Sequence, residues 1–139
     1  MMIADSDVLI DFLRGRSPWA GRIKLEIKTG HLATTAINSF ELLSGAKDAA
    51  ERDKVVQLLA ALTVLGVTPA ASERAAAIRR ELEGAGQGIG MADYLIAGVC
   101  LAHDGVLLTR NIDYFGRVSG LAITGRHLEE SAGSRSSRT

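Results

Sequence analysis

Five acidic or amide side chains lie beside short apolar segments of this sequence. Asp5 ends the run MMIAD, Glu41 lies within INSFELLSGA, Asp93 follows the glycines of GAGQGIG, and Asn111 and Asp113 follow VLLT. Taken singly, each is explained by a helix cap, a first-turn charge or a turn. If the fold brings several carboxylates together, a cation must compensate them, because neighbouring like charges disfavour ionisation. Oxygen ligands without cysteine favour Mg²⁺ or Mn²⁺.

The elements that must position these side chains alternate between short strands and helices. Apolar runs predict buried strands at MMIAD, HLATT, TVLGVT, VLLT and LAIT, and the periodic segments between them predict helices. In the third helix, an apolar face is expected from Ile37, Phe40, Leu42 and Leu43. The alternation predicts an α/β fold, a three-layer α/β/α sandwich around a central, mainly parallel sheet. Ligands of such sheets bind beyond the carboxyl ends of the strands, where the acidic residues fall.

Composition limits the partners and the setting. The chain has 139 residues, with 16 basic and 16 acidic side chains, so nucleic-acid binding would need a local basic patch. We expect one domain over 1–128 and a disordered Ser/Arg-rich tail over 129–139. The single cysteine, Cys100, and the lack of a long apolar stretch predict a cytoplasmic protein without a membrane segment.

Three segments together resemble a known family. MIADSDVLIDFLRG, INSFELLSGA and GMADYLIAGVCLAHDGVLLTRNIDYFGRV are similar to the sequential motifs of PIN-domain proteins, in particular VapC toxins of toxin–antitoxin pairs. The resemblance covers about residues 2–125. It implies an α/β/α sandwich, an endoribonuclease that depends on a divalent metal ion, a homodimer, and neutralisation by a small antitoxin protein.

The resemblance also implies roles for individual residues. Asp5, Glu41 and Asp93 match the three acidic positions of the family's site, with Asp5 and Asp93 as direct metal ligands and Glu41 acting through water or a second ion. Ser6 matches a residue that supports the first Asp, and Thr109 matches a small hydroxyl residue.

The fourth acidic position of the family departs from the pattern in this chain. The alignment of LLTRNIDYF places Asn111 there, with Asp113 two residues later, so either residue could complete the site. In the implied reaction, activated water attacks a phosphorus of RNA and leaves a 3′-hydroxyl and a 5′-phosphate.

Cations near the acidic residues are candidates for binding the RNA backbone. Arg14, Arg16 and Arg110 lie close in sequence to Asp5 and Asn111, and solvated surface arginines are an equally good explanation. The apolar segments IKLEI and VVQLLAALTVL could form a groove for an amphipathic antitoxin segment or belong to the core. An antitoxin arginine that reached the acidic site would inhibit it by replacing the charge of the metal.

Other functions fit parts of the sequence. DSDVL resembles the nucleophile motif of haloacid-dehalogenase-like phosphatases, with Asp5 as nucleophile and Asp7 as acid, but no downstream Asp-Asp pair follows. GAGQGIG lacks the spacing of a nucleotide-binding loop. A PIN-like module that binds RNA or protein without cleavage is the alternative from a different class. The three histidines show no ligand spacing and are not expected to be catalytic: His31, His103 and His127.

Overall fold

The computed structural model describes residues 1–124, which form one parallel sheet covered by helices. Five strands lie in the order β3-β2-β1-β4-β5, and every neighbouring pair is parallel. The strands are β1 (Met2–Ala4), β2 (Leu32–Thr35), β3 (Thr63–Leu65), β4 (Val106–Leu108) and β5 (Ala122–Thr124). The helices are α1 (Ser6–Leu13), α2 (Trp19–Thr29), α3 (Ala36–Gly45), α4 (Ala49–Ala60), α5 (Pro69–Gly84), α6 (Met91–Ala102) and α7 (Ile112–Phe115).

Two hydrophobic clusters lie on opposite faces of the sheet. Successive strand residues point to opposite faces, so Ile3 packs with residues of α5 and α6, whereas Ala4 packs with residues of α1, α2 and α4. Leu107 and Leu108 divide between the two clusters in the same way. The α/β/α sandwich and the parallel sheet predicted from the alternation are therefore confirmed.

Helix α6 is held close to α5, and this contact fixes the position of the first turn of α6. Gly98 faces α5 so closely that an added Cβ would lie 2.4 Å from the Ala71 carbonyl oxygen. No L side chain can be accommodated at that distance without moving one of the helices. Gly98 thus permits the tight packing that places Asp93 at the edge of the sheet.

Three details differ from the sequence predictions or lie beyond them. The apolar face predicted for α3 is wrong at Phe40 and Leu43, which are exposed, whereas Leu42 is buried. The short helix α7 follows β4 where only a turn was considered. The predicted tail over 129–139 and the end of the predicted domain over 125–128 lie outside the described residues. No helix among residues 1–124 is long and apolar enough to cross a membrane.

Candidate active site

The strand order places a crevice at the carboxyl ends of β1 and β4. From β1 the chain runs outward to β2 and β3, and it then returns to place β4 on the other side of β1. Such a reversal of strand order leaves an opening beyond the strand ends, where ligands bind in open α/β sheets. Asp5 follows β1 and Thr109 follows β4, and the Asp5 backbone N–H donates to the Leu108 carbonyl at 2.9 Å. The side chains at this crevice form the candidate site.

Asp5 is fixed on both of its carboxylate oxygens. Its Oδ1 accepts hydrogen bonds from the Ser6 backbone N–H at 2.8 Å and from Asn38 Nδ2 at 3.0 Å. Its Oδ2 accepts from the Thr109 hydroxyl at 2.7 Å. Asp5 is 7% exposed, and burial raises the pKa of its carboxyl, although these three hydrogen bonds act in the opposite direction. The fold therefore orients a carboxylate whose charge water does little to stabilise.

A chain of hydrogen bonds connects Asp5 to Glu41. Asn38 is fully buried, and its Nδ2 donates to Ser6 Oγ at 2.9 Å as well as to Asp5. Ser6 Oγ in turn donates to Glu41 Oε1 at 2.8 Å. Asn38 is itself held at the start of α3, where its Oδ1 accepts from the Thr35 hydroxyl at 2.7 Å. Glu41 is exposed at the rim, so it can take part in proton exchange with solvent.

Asp93 contributes a third carboxylate from the first turn of α6. The pKa of its carboxyl is raised by partial burial first, then by the negative charges of Asp5 and Glu41. A hydrogen bond from the Gly90 backbone acts against this rise. The charges of Asp5 and Glu41 therefore disfavour ionisation of Asp93, and the charge of Glu41 disfavours ionisation of Asp5. Their mutual repulsion is the condition under which a bound cation is favourable.

Asp7 lies beside these residues and was considered from sequence only as the acid of a phosphatase. Its Oδ2 accepts from the Arg110 backbone N–H at 3.0 Å, whereas Oδ1 is buried without a hydrogen-bond partner among residues 1–124. Burial, followed by the charge of Asp5, raises the pKa of Asp7 from 3.8 to about 7. Asp7 thus ties α1 to the loop after β4 and adds to the excess of negative charge.

The two candidates for the fourth acidic position have different surroundings. Asn111 caps α7, and its Oδ1 accepts from the Tyr114 backbone N–H at 3.4 Å. Its backbone N–H donates to the Thr109 hydroxyl at 3.0 Å, so Asn111 is directly connected to the group that holds Asp5. Asp113 is exposed in the first turn of α7 and makes no hydrogen bond through its side chain within residues 1–124. The geometry favours Asn111 as the neighbour of the site.

The three candidate arginines separate into two places. Arg14 lines a groove between α1, α3 and α4 on one side of the site. Arg16 and Arg110 line a different cleft, near the start of α2. His31 and His103 are exposed and belong to neither, and His127 lies outside the described residues.

The donor set fits a hard divalent ion that keeps part of its water shell. Within residues 1–124, no group of three His, Cys, Asp or Glu side chains is arranged to hold a metal ion together. Mg²⁺ does not require such a group, because it is commonly held by one or two carboxylates and completes its octahedron with water and substrate oxygens. Asp5 and Asp93 supply two carboxylates, and burial, followed by neighbouring negative charge, raises the pKa values of both.

Sequence reasoning missed Asn38, although its spacing contained the signal. Thr35, Asn38 and Glu41 are three residues apart, so they lie along one face of α3. A polar stripe within the apolar segment TTAINSFELL indicates a face that does not pack against the core. The burial of Asn38 and its hydrogen bond to Asp5 depend on how α3 packs against the end of β1. No local sequence pattern specifies that packing.

These features define a parallel α/β domain with an acidic pocket at the reversal of its strand order. The PIN domain family matches residues 2–121. Ribonuclease VapC10 of Mycobacterium tuberculosis is 36% identical over 115 residues, which cover 83% of this chain and 86% of that protein.

Solved structures share the same fold. VapBC2 from Rickettsia felis, bound to a promoter DNA fragment, superposes with a TM-score of 0.78 at 23% identity and covers 88% of this chain and 96% of that one. VapBC-1 from nontypeable Haemophilus influenzae gives a TM-score of 0.72 at 22% identity, with the same coverage. The chain therefore belongs to the PIN-domain family, and within that family to the VapC proteins. This membership replaces the phosphatase hypothesis.

Proposed function

We propose that this chain is an endoribonuclease that depends on a divalent metal ion and acts as the toxin of a toxin–antitoxin pair. The observation that carries the proposal is the acidic pocket, in which Asp5, Glu41 and Asp93 come from three separate elements, and in which burial first and neighbouring negative charge second raise the pKa values of Asp5 and Asp93. A module that only bound RNA would have no electrostatic reason to gather these charges, because they repel phosphate. The 36% identity to a protein named as a ribonuclease supports the same activity.

The residues of the acidic pocket have different roles in the proposed reaction. Asp5 and Asp93 would hold the metal ion, and Asn38, Ser6 and Thr109 keep the Asp5 carboxylate in its orientation. When bound, Mg²⁺ or Mn²⁺ lowers the pKa of water and stabilises negative charge on phosphate oxygens.

Glu41 is the group that accepts a proton in this arrangement. It lies at the exposed rim, and the Ser6 hydroxyl fixes its Oε1 by a hydrogen bond of 2.8 Å. Glu41 therefore takes the proton from the attacking water and can return it to solvent. Asn111 supports the pocket through Thr109, and no described contact gives Asp113 such a connection. We therefore place Asn111, rather than Asp113, at the fourth position of the site.

The ends of the RNA products test this mechanism. Hydrolysis by activated water should leave a 3′-hydroxyl and a 5′-phosphate, because the RNA 2′-hydroxyl takes no part in the attack. Products of cleavage in Mg²⁺ should therefore be ligated directly to an RNA adaptor without prior phosphorylation. Products that end in a 2′,3′-cyclic phosphate would contradict the proposal, and RNA binding without cleavage in either metal would indicate the non-catalytic module instead.

The antitoxin has a suitable groove next to the acidic pocket. A groove of about 230 Å³ between α1, α3 and α4 has an apolar floor and a charged rim that includes Arg14 and Glu41. Its apolar lining comes from Ile10, Leu13, Leu42 and Val55. Of the two segments considered for such a groove, VVQLLAALTVL contributes Val55 to the lining, whereas IKLEI in α2 contributes no residue to it. A segment lying here could bring a basic side chain to Glu41.

Filling this groove should weaken the antitoxin complex without affecting cleavage. Ala46, at the C-cap of α3, lines the groove, so Ala46→Glu adds bulk and negative charge to it. We expect the affinity for the purified cognate antitoxin to fall by at least about tenfold, which corresponds to 1.4 kcal/mol. Ala61→Glu is the matched control, since Ala61 is an exposed C-cap outside the groove. Equal antitoxin affinity in the two variants would exclude the groove as the binding site of the antitoxin.

The homodimer implied by the resemblance stays a prediction that gel filtration tests.

A further inference from the structure

A second cleft lies on the other side of the acidic pocket from the groove. It has a volume of about 260 Å³ and is formed by the end of α1, the turn into α2 and the loop after β4. It is lined by Asp11, Arg16, Ser17, Pro18, Trp19 and Arg110. We call it the Trp19 cleft. Arg110 directly follows Thr109, whose hydroxyl donates to Asp5, so the cleft and the acidic pocket share one loop.

The Trp19 cleft has a buried hydrogen-bond donor without an acceptor. Trp19 is 1% exposed, and its indole N–H has no partner among residues 1–124. A buried N–H group in a native protein nearly always has a partner, so the indole N–H of Trp19 needs an acceptor, which is either a water molecule or a bound ligand. Trp19 also begins α2, whose N-cap residue, Pro18, offers no side-chain acceptor to the first turn. The Ala20 N–H in this first turn already donates to the Arg16 carbonyl at 2.8 Å, so the start of the helix contributes mainly a partial positive charge.

The charged groups of the cleft favour an anion. Arg110 Nη1 donates to both carboxylate oxygens of Asp11 at 3.0 Å, and Asp11 is only 5% exposed. The buried carboxylate thus fixes the guanidinium of Arg110 and leaves its remaining N–H groups free within the described part of the chain. Arg16 is exposed and forms no ion pair with residues 1–124. Two guanidinium groups and one carboxylate leave a net positive charge beside the strongly negative pocket.

We propose that the Trp19 cleft binds a phosphate group of the RNA backbone next to the bond that is cleaved. The proposal rests on the ribonuclease function proposed above and gives it a defined substrate contact. A phosphate can accept hydrogen bonds from several directions, which suits the indole N–H of Trp19 and the guanidinium groups of Arg16 and Arg110. These donors contact the backbone and not the bases, so the cleft positions RNA without selecting its sequence. It also offsets the repulsion that the acidic pocket exerts on the same strand.

The chain contains one tryptophan, so its fluorescence reports on this cleft alone. We expect a saturable change in emission when a short single-stranded RNA is added in EDTA, where the metal-dependent cleavage is prevented. Inorganic phosphate should produce a weaker change of the same kind. If phosphate alters the emission and RNA does not, the cleft is a site for free anions and the proposal is overturned.

Arginine variants measure the contribution to RNA binding. Arg16→Gln should weaken RNA binding about fivefold and reduce the slope of log K against log salt by about 0.7, the value for one phosphate contact on a single strand. Arg80→Gln is the matched control, because Arg80 is exposed on α5, forms no ion pair within residues 1–124 and lines neither the groove nor the cleft, so the affinity and slope of this variant should stay at the wild-type values. Identical slopes for Arg16→Gln and the wild type would overturn the proposal.

The tryptophan variant tests the buried donor separately. Trp19→Phe keeps an aromatic ring but removes the N–H, and we expect RNA affinity to fall about threefold with the KM for cleavage raised and kcat unchanged. Thermal unfolding shows whether Trp19→Phe folds. If Trp19→Phe does not fold, the RNA affinity and salt slope of Arg16→Gln test the cleft instead. These binding measurements in EDTA are independent of catalysis. Absence of cleavage by the wild type in Mg²⁺ would therefore refute the nuclease, while the salt slopes would still test the cleft.

Discussion

Asp5→Asn should lower RNA cleavage by more than about 100-fold, since changes to residues that merely support metal ligands already cost about 10–100-fold. Asparagine keeps the shape of the side chain and can still accept from Ser6 and Asn38, but it removes the negative charge that attracts the cation. The variant is thus expected to fold and to bind the divalent ion weakly. Initial rates of cleavage of a labelled RNA at saturating Mg²⁺ measure the effect.

The same substitution should leave the protein at least as stable as the wild type. Burial raises the pKa of the Asp5 carboxyl, so the ionised group opposes folding at neutral pH when no metal is bound. The thermal midpoint of Asp5→Asn in EDTA should therefore equal or exceed that of the wild type. Asp53→Asn, on the exposed surface of α4, is the control for a lost charge and should keep full activity. Activity of Asp5→Asn above a tenth of the wild type would remove Asp5 from the proposed machinery.

Much of the architecture follows from local sequence patterns. Short apolar runs and intervening periodic segments were sufficient to predict the parallel sheet, because the central strands β1, β2 and β4 are largely buried on both faces and the helices between strands have apolar sides. The position of Asp5 was predictable for the same reason, since a polar residue directly after a buried strand must lie at the edge of the sheet. The position of a residue at such an edge can therefore be predicted from the local sequence.

The remaining details depend on how distant elements meet. Phe40 and Leu43 have the spacing of a core face, yet they are exposed because α3 turns its Asn38 side toward β1. The Trp19 cleft joins residues nearly a hundred positions apart, Trp19 and Arg110, through the pairing of β1 with β4. Hydrophobic periodicity predicts which side chains are buried, but it does not predict which residues of other elements they pack against.

The electrostatics of the site also escaped sequence reasoning. From the sequence, Asp7 was considered only as the acid of a phosphatase motif. Its raised pKa requires both burial and the charge of Asp5, and these arise only after the loop at Arg110 has closed over it. A count of carboxylates in the sequence therefore does not show that Asp7 is buried beside Asp5, or that its pKa is raised.

That concentration of charge predicts how metal removal and pH act together. EDTA should abolish cleavage, because no other group in the pocket replaces the charge of the divalent ion. In EDTA, the free energy of unfolding should fall as the pH rises from about 4 to about 7. The pKa of Asp7 is about 7 in the folded protein, against 3.8 for the unfolded chain. Its contribution to folding is therefore fully present below pH 3.8 and is lost as the pH rises through 7. The raised pKa values of Asp5 and Asp93 act in the same direction.

Mg²⁺ should oppose this loss, because it binds the ionised carboxylates that destabilise the metal-free protein. Binding to the folded state alone adds about 2.7 kcal/mol when the ion is present at 100 times its Kd. The stabilisation should be larger at pH 8 than at pH 5, since protons compete for the same oxygens. Urea unfolding with Mg²⁺, and with KCl at equal ionic strength, separates this effect from screening. If KCl stabilised the protein as much as Mg²⁺ at pH 8, the acidic pocket would hold no specific divalent ion, and both the metal site and the proposed chemistry would be wrong.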